Sequence, residues 1–333
     1  MKKKFLSGLM ALAIAIPCAF GLVGCGEDPA DPTTPPATPT HTHSYTSYEY
    51  KVEDGKAYKV ETGCSCEVDT KTELQNYVIA TTDNVNEVIA DATDGLTIVL
   101  DAGDYGVINM HNTLEDVTII GTTATVEKID IAGHTNANIT IDNITFDGTA
   151  EWSGVYVGSI GLDGLTVRNC SFVKNSYILG GGSQPDHISI MNLLVEGCSF
   201  DMTDMENKDS VKLSAINIWG SDGVTIKNNT FKNVDYNAIQ LAGEINGAVL
   251  IEGNVIDGTA DRALRFNNVN ETITIRNNSI KGVQNANEEV LKATSVTAEG
   301  SLVFENNTYD GNAWAPEDVT TESTDVIYTI TLA

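Results

Sequence analysis

Short runs in which apolar and polar residues alternate recur along the chain from residue 96 onward. Each run reads apolar-x-apolar and is followed within a few residues by a position that is often Asn or Gly and then by another large apolar residue. Successive runs begin 21 to 31 residues apart, and repeats of this length predict a solenoid with one coil per repeat. The nine runs begin at Leu96, Val117, Ile139, Leu165, Leu193, Val224, Val249, Ile273 and Leu302.

A second alternating run within several repeats indicates which kind of solenoid forms. Residues 215–218, 238–241 and 263–266 have the period of two that is typical of strands, whereas a leucine-rich repeat would place a helix or tight turn there. The repeat length varies by ten residues, which argues against the left-handed type with its strict hexapeptide period. Residues 80–333 resemble the right-handed parallel β-helix superfamily, which includes pectate-lyase-like proteins. The expected fold is therefore all-β, with about nine coils and an N-terminal capping helix.

One aligned position of the repeat carries Asn in four successive coils. Asn tolerates the left-handed backbone of a sharp turn, and identical amides in stacked coils can hydrogen-bond to one another. Cysteines occupy the same position in the two preceding coils, and we expect them to be buried free thiols. The six residues are Cys170, Cys198, Asn229, Asn254, Asn278 and Asn307.

Both ends of such a solenoid need a cover, because a bare end exposes core and unpaired strand groups. Residues 84–92 predict a helix with one apolar face, begun by a capping box of Asn84 and Glu87. At the other end an alternating closing strand is predicted from Val326, Tyr328, Ile330 and Leu332.

Three lysines follow Met1 and precede an apolar stretch from Phe5 to Val23, after which come Gly24 and Cys25. This segment resembles a bacterial lipoprotein signal, and the resemblance implies that residues 1–24 are a signal peptide and that Cys25 carries the lipid. Residues 25–40 contain five prolines and predict an extended linker. The expected protein is lipid-anchored to the cell membrane and lies outside the cytoplasm, with the lipid as its only membrane contact.

Residues 41–70 form a separate small segment that contains two His and two Cys. His41, His43, Cys64 and Cys66 are the ligand types that zinc prefers, and they resemble the His-x-His and Cys-x-Cys pairs of small modules in bacterial surface proteins. A hairpin with its turn at residues 54–55 would connect the two pairs. A disulfide or unstructured polar histidines are the alternatives.

Composition narrows the range of partners. The chain has 46 acidic and 19 basic residues and a net charge of −27, which excludes a generic nucleic-acid binder because phosphate contacts need Lys or Arg. The same charge favours a neutral glycan over a polyanion. No phosphate-binding Gly loop or other fingerprint of an organic cofactor is present.

The outward positions of one predicted sheet are the candidate binding surface. Amides beside an exposed indole suit a sugar, since the indole stacks on the sugar ring and the amides bind hydroxyls. Arg265 and Lys292 could hold a uronate or a sulfate. An ordinary polar strand face is the alternative. The column is Asp130, Tyr156, Asn217, Gln240, Arg265 and Lys292, with Trp219 and Asn267 one step along.

The same residues indicate which catalytic reactions the column could support. Glycoside hydrolysis needs two nearby carboxylates, and the column offers only Asp130. Lyase chemistry needs a base, for which Arg265 and Lys292 are candidates, and a cation on the uronate, for which Asp209, Asp235 and Asp261 could bind calcium. The sequence therefore predicts a surface lipoprotein whose β-helix groove binds extracellular glycan. A calcium-assisted polysaccharide lyase and a non-catalytic structural or adhesive protein remain the alternatives.

Overall fold

The computed structural model describes residues 43–65, 67–131, 136–158, 161–181, 190–205, 212–268, 270–284, 290–294, 301–314 and 319–321. It contains a small antiparallel sheet followed by a right-handed parallel β-solenoid with one short helix. The predicted signal peptide, lipidation site, linker and closing strand lie outside the described residues.

The small sheet consists of β1 (Ser47–Glu53), β2 (Lys56–Thr62) and β3 (Thr70–Glu73). β1 and β2 pair antiparallel across Asp54 and Gly55, whose φ angles of 52° and 74° are those of a tight hairpin turn. The predicted hairpin is confirmed. β3 was not predicted, and it pairs with the other edge of β2.

The strands of the solenoid form one continuous sheet with three faces. They pair in parallel except where the short β25 (Asn312–Ala313) pairs antiparallel with β24 (Thr308–Tyr309). The first face contains β4 (Tyr77–Ala80), β5 (Thr97–Leu100), β7 (Thr118–Gly121), β9 (Ala137–Asp142), β11 (Leu162–Arg168), β13 (Ile190–Glu196), the C-terminal parts of β15 (Ile216–Lys227) and β17 (Ile239–Glu252), β20 (Thr272–Arg276) and β23 (Ser301–Glu305).

The other two faces share several long strands that bend around a corner. The second face contains the N-terminal parts of β6 (Gly103–Asn109), β8 (Ala124–Ile131), β10 (Thr145–Val157) and β12 (Ser171–Gly180), with β14 (Ser199–Asp201), β16 (Thr230–Val234), β18 (Val255–Thr259), β21 (Ser279–Val283) and β24 (Thr308–Tyr309). The third face contains the C-terminal parts of β6, β8, β10 and β12, the N-terminal parts of β15 and β17, and β19 (Leu264–Asn267), β22 (Leu291–Thr294) and β26 (Val319–Thr321).

The predicted all-β parallel solenoid is thus confirmed. Among the described residues its first face stacks ten strands, and all nine predicted runs lie on that face, so the coil number is close to the nine expected. Inward residues of all three faces form one apolar core, because alternate residues of each strand point to opposite sides. In four successive coils this core contains a stack of parallel phenylalanine rings with centroids 4.5–4.9 Å apart, formed by Phe146, Phe172, Phe200 and Phe231.

At the corner between the first and second faces, two adjacent positions of the repeat have different roles. Asn229, Asn254, Asn278 and Asn307 are buried and hydrogen-bond to one another through their amides, so the predicted ladder is confirmed. The left-handed turn lies one residue earlier, and this position is either Asn or Gly with φ of 51–64°: Asn169, Gly197, Asn228, Gly253, Asn277 and Asn306. The sequence interpretation had merged the two roles.

Cys170 and Cys198 are buried free thiols at the ladder position, as expected. Their sulfurs lie 3.8 Å and 3.6 Å from the carbonyl oxygens of Ile141 and Val167 in the preceding coil. Burial, with the neighbouring Cys198 thiol, raises the pKa of Cys170 well above its usual value.

The N-terminal end of the solenoid is covered by α1 (Val85–Ala90), in which Val85 and Ile89 are buried as predicted. The predicted capping box does not form. The Asn84 side-chain oxygen accepts instead from the backbone N–H of Thr81 at 2.8 Å, so it is not directed at the helix N–H groups. A local turn bond has replaced the helix cap.

The small sheet packs against the outside of the first face around one buried carboxylate. Tyr50 contacts the outward residues Val99 and Ile120. Asp142 is completely buried and accepts from the hydroxyls of Tyr48 and Tyr50 at 2.9 Å and from Arg168 Nε at 2.8 Å. Burial and then the Asp142 charge raise the pKa values of both tyrosines.

Candidate functional site

The six predicted column residues lie in one line across the outward side of the third face. Strand register aligns them coil by coil in the expected order, and it places Leu179 in the coil whose phase the sequence left open. We call this line the third-face column: Asp130, Tyr156, Leu179, Asn217, Gln240, Arg265 and Lys292. Tyr177 of the ambiguous coil is buried.

The middle of the column is partly covered. Leu179 and Gln240 are only 5% and 9% exposed. The Gln240 side-chain oxygen accepts from Ser214 Oγ at 3.2 Å and from Asn237 Nδ2 at 2.9 Å. Gln240 is therefore fixed by its neighbours, and its carbonyl oxygen already has two protein partners.

The side-chain amides of Asn217, in the column, and of Asn267, one step along the strand, differ from the amide of Gln240. The side-chain oxygens of Asn217 and Asn267 are shielded and have no hydrogen-bond partner among the described residues. Trp219 is half-buried and aligns with Ala242 of the next coil, whose small side chain limits crowding beside the indole. Unpartnered polar atoms in a folded protein call for an explanation such as a ligand, an ion or an ordered water molecule.

At the N-terminal end of the column, Asp130 lies between two cationic groups. Lys128 Nζ is 2.6 Å from one oxygen of Asp130, and His111 Nε2 is 3.7 Å from the other. The Lys128 ammonium also lies 4.7 Å from the centre of the Tyr156 ring. One side of that ring is therefore already in contact with protein, which reduces the area that Tyr156 offers to a sugar.

Most cations of the described chain are neutralised within the protein. At least twelve of the fifteen described Lys and Arg residues form an ion pair with a carboxylate. On the first face these pairs belong to a row in which acidic and basic residues alternate from coil to coil: Asp142, Arg168, Glu196, Lys227, Glu252, Arg276 and Glu305.

Lys212 and Arg265 have no carboxylate within ion-pair distance in the described part of the chain, and both lie against Tyr236. Arg265 Nη1 donates to the Tyr236 hydroxyl at 2.7 Å, and its guanidinium carbon is 6.0 Å from the ring centre. Lys212 Nζ is 5.5 Å from the same centre. We call Lys212 and Arg265 the cation pair. Its two charges lie at most about 11.5 Å apart, and Lys292 is the register neighbour of Arg265.

Sequence reasoning missed Tyr236, Lys212 and His111. All three lie outside the alternating strands, in connections where side-chain direction does not follow a period of two. Asp235, directly before Tyr236, was predicted as a calcium ligand, but no role was predicted for the tyrosine.

The calcium candidates do not form a ligand set from described residues. Asp261 is ion-paired with Arg262 at 2.6 Å, and Asp235 accepts from the backbone N–H of Leu213 at 3.2 Å. Asp209 lies outside the described residues. Within the described ranges no group of three or more His, Cys, Asp or Glu side chains is arranged to hold a metal ion. Calcium binding stays a prediction.

Of the four zinc candidates, the structure describes His43 and Cys64. It brings them together, with 3.5 Å between Cys64 Sγ and His43 Nδ1. His41 and Cys66 lie outside the described residues, as does Cys25. Among the described helices, none has the length and apolar character needed to cross a membrane.

Comparison with known proteins gives one family match and several similar structures. The family model described as "Right handed beta helix region" matches residues 214–327. The crystal structure of PfbA, a surface adhesin of Streptococcus pneumoniae, is 14% identical with a TM-score of 0.45, over 75% of this chain and 72% of that one.

Two alginate lyase structures are also similar. The enzyme from Paenibacillus sp. str. FPU-7 is 12% identical with a TM-score of 0.36, over 71% of this chain and 96% of that one. The PL6 family enzyme AlyGC is 15% identical with a TM-score of 0.37, over 77% of this chain and 39% of that one. No curated protein matches the chain. At these identities the similarity concerns the fold alone.

Proposed function

We propose that this protein binds an extracellular glycan along the third-face column and that an acidic group of the glycan is held by the cation pair. The observation that carries the proposal is the cation pair itself. In a chain of net charge −27, Lys212 and Arg265 come together on one tyrosine without a neutralising carboxylate among the described residues.

Several features of the column suit a sugar chain. The half-buried Trp219 indole supplies apolar surface for a pyranose ring, whereas the Tyr236 ring is already in contact with the cation pair and serves to position it. The Asn217 and Asn267 oxygens, which have no hydrogen-bond partner among the described residues, are acceptors for sugar hydroxyls once the amides turn toward a ligand. Arg265 offers a planar set of donors that matches a carboxylate or a sulfate.

Binding of polysaccharides to the full-length chain tests this function. Acidic and neutral polysaccharides would be compared by isothermal titration calorimetry, with the variants Lys212→Gln and Arg265→Gln. A charge-assisted hydrogen bond contributes about 1.5–3 kcal/mol, so each variant should weaken binding of an acidic glycan by about tenfold or more.

Matched control variants come from cations that are already paired. Arg276→Gln on the first face and Lys281→Gln on the second remove the same charge from ion pairs with Glu252 and Asp257. Binding in these two should match the wild type. Equal loss in all four variants, or equal affinity for neutral and acidic glycans, would contradict the role of the cation pair.

A lyase is the second candidate function, and the alignment of Arg265 with Lys292 favours it. Strand spacing places the two residues about 4.8 Å apart along the column. One side chain would neutralise the uronate carboxylate while the other removes the adjacent carbon-bound proton. The glycosidic bond then breaks, leaving a double bond in one product and a new hydroxyl in the other.

The unsaturated product absorbs ultraviolet light, so turnover can be followed directly on polyuronates with and without added calcium. Product formation that is lost in Lys292→Ala supports a lyase. Binding without product on any polyuronate retains the glycan-binding function and refutes the lyase. Absence of both results would leave a structural surface protein.

We also propose that the protein is tethered to the outer side of the cell membrane through a lipid on Cys25. The three lysines, the apolar run and the cysteine support this location. Fractionation of cells that express wild type and Cys25→Ser tests it. The variant should leave the membrane fraction, and an unchanged distribution would refute the anchor.

A further inference from the structure

We propose that the open end of the small sheet is a zinc site in which His43 and Cys64 are two of the ligands. The proposal is independent of glycan binding, because the third-face column contributes no atom to it. Zinc would act here as a structural ion that fastens the hairpin.

The hairpin itself brings the two residues together. β1 and β2 pair from Glu53–Lys56 at the turn to Ser47–Thr62 at the open end, and the bond from Thr46 N to Thr62 O at 3.1 Å continues the pairing outward. The chain then reverses after Cys64, whose carbonyl accepts from the N–H of Glu67 at 3.0 Å. His43 and Cys64 thus meet although 21 residues separate them.

The distance between their ligand atoms is that of two corners of a zinc tetrahedron. Zinc binds a thiolate sulfur at about 2.3 Å and an imidazole nitrogen at about 2.0–2.1 Å, so tetrahedral geometry places the two atoms about 3.5–3.6 Å apart. The structure has 3.5 Å between Cys64 Sγ and His43 Nδ1. A thiol that merely donates to the imidazole would give a similar distance, and the experiment below separates the two arrangements.

Burial and orientation also suit a structural site. Cys64 is only 9% exposed, which protects a metal–thiolate bond from solvent. The His43 ring stacks on Tyr45 with an angle of 6° between the ring planes, so its direction is already set. In the sequence His41 precedes His43 by two positions and Cys66 follows Cys64 by two, so the chain holds two further residues of the types that zinc binds. A set of two nitrogens and two sulfurs is one that structural zinc sites use.

The position explains what the ion would do. The β1–β2 hairpin is closed by the Asp54–Gly55 turn at one end only. A metal at the other end would close it on both sides. Zinc must displace the thiol protons of its cysteine ligands to solvent, so its apparent affinity should rise with pH.

Metal content of the full-length chain purified under reducing conditions tests the proposal. We expect one zinc per chain by inductively coupled plasma mass spectrometry. After replacement by Co²⁺ we expect the intense near-ultraviolet charge-transfer absorption of cobalt–thiolate bonds. His43→Gln and Cys64→Ser should each weaken zinc binding at least tenfold, and Cys64→Ser should also reduce the thiolate band.

The control variants remove the same side chains elsewhere. His111→Gln removes an exposed histidine of the solenoid, and Cys198→Ala removes a buried thiol. Both should retain one zinc. Substoichiometric zinc, equal loss in the controls, or a Cys64–Cys66 disulfide in protein isolated from its own cell envelope would each overturn the site. None of these outcomes would alter glycan binding through Arg265.

Discussion

Replacing Asn278 in the ladder should destabilise the solenoid, whereas replacing its neighbour Asn277 should not. The Asn278 oxygen accepts from the N–H of Asn254 at 2.9 Å, and its amide donates to the carbonyl of Ile251 at 2.9 Å and to the oxygen of Asn307. Asn277 is exposed and has a φ of 56°, and the equivalent position of the preceding coil is Gly253.

The size of the effect follows from the groups left without partners. Asn278→Ala leaves the Asn254 N–H without its acceptor and the Ile251 carbonyl without its amide donor. A buried unsatisfied group costs about 1–3 kcal/mol, so the free energy of unfolding should fall by about 2–6 kcal/mol. Asn277→Gly relieves a left-handed backbone while adding entropy to the unfolded chain, so its net effect should stay within about 1 kcal/mol.

Urea unfolding followed by circular dichroism measures the difference. With an m-value of about 3 kcal/mol/M, Asn278→Ala should lower the midpoint by about 0.7–2 M. Since solenoids can unfold in stages, hydrogen exchange at the Asn254 amide provides a local readout. Equal midpoints for the two variants, or unchanged protection of that amide in Asn278→Ala, would refute the ladder as a source of stability.

Two further predictions concern buried tyrosine and cysteine side chains. Because burial and Asp142 raise the pKa of Tyr48 and Tyr50 in the folded state, their stabilising contribution is complete below about pH 10 and is lost as the pH rises beyond it. The urea midpoint should therefore lose no tyrosine contribution between about pH 8 and pH 10 and should fall as the pH rises from about 10 to 11. The drop should be smaller in Tyr50→Phe, and an equal drop would argue against the contact. Cys170 and Cys198 should resist alkylation at about pH 8 in the native protein and react after unfolding, and fast labelling of the native form would contradict their burial.

The solenoid and the line of the third-face column could be predicted because both depend on periods. An alternating strand fixes which residues point outward, and the repeat fixes which of them stack, so Asn217, Gln240 and Arg265 could be aligned from sequence. Leu179 could not be placed from sequence, because Tyr177, Ile178 and Leu179 are all apolar and buried. No polar residue marks which of them points outward.

Features outside the strands were not predictable in the same way. The Asn84 side chain had two possible partners within three residues, and the turn formed with Thr81 prevailed over the helix cap. Lys212 and Tyr236 reach the column from connections of different coils, and only the folded structure shows that they meet. The fold was thus accessible from local patterns, whereas the site depends on contacts between connections.

The net charge of the chain favours a neutral ligand, whereas the charges near the column favour an acidic one. The distance over which salt screens charges decides which effect is larger. The value of −27 favours a neutral glycan, but at physiological ionic strength charges more than about 8 Å apart are largely screened. A ligand on the column therefore experiences mainly the nearest coils. There the carboxylate of Asp261 is paired with Arg262, that of Asp235 accepts from the Leu213 N–H, and the cation pair has no carboxylate within ion-pair distance among the described residues. Several acidic residues of the other faces are held in ion pairs, which further weakens their repulsion of an acidic ligand. We therefore propose that local attraction exceeds the long-range repulsion and that this surface binds an acidic glycan more tightly than a neutral one.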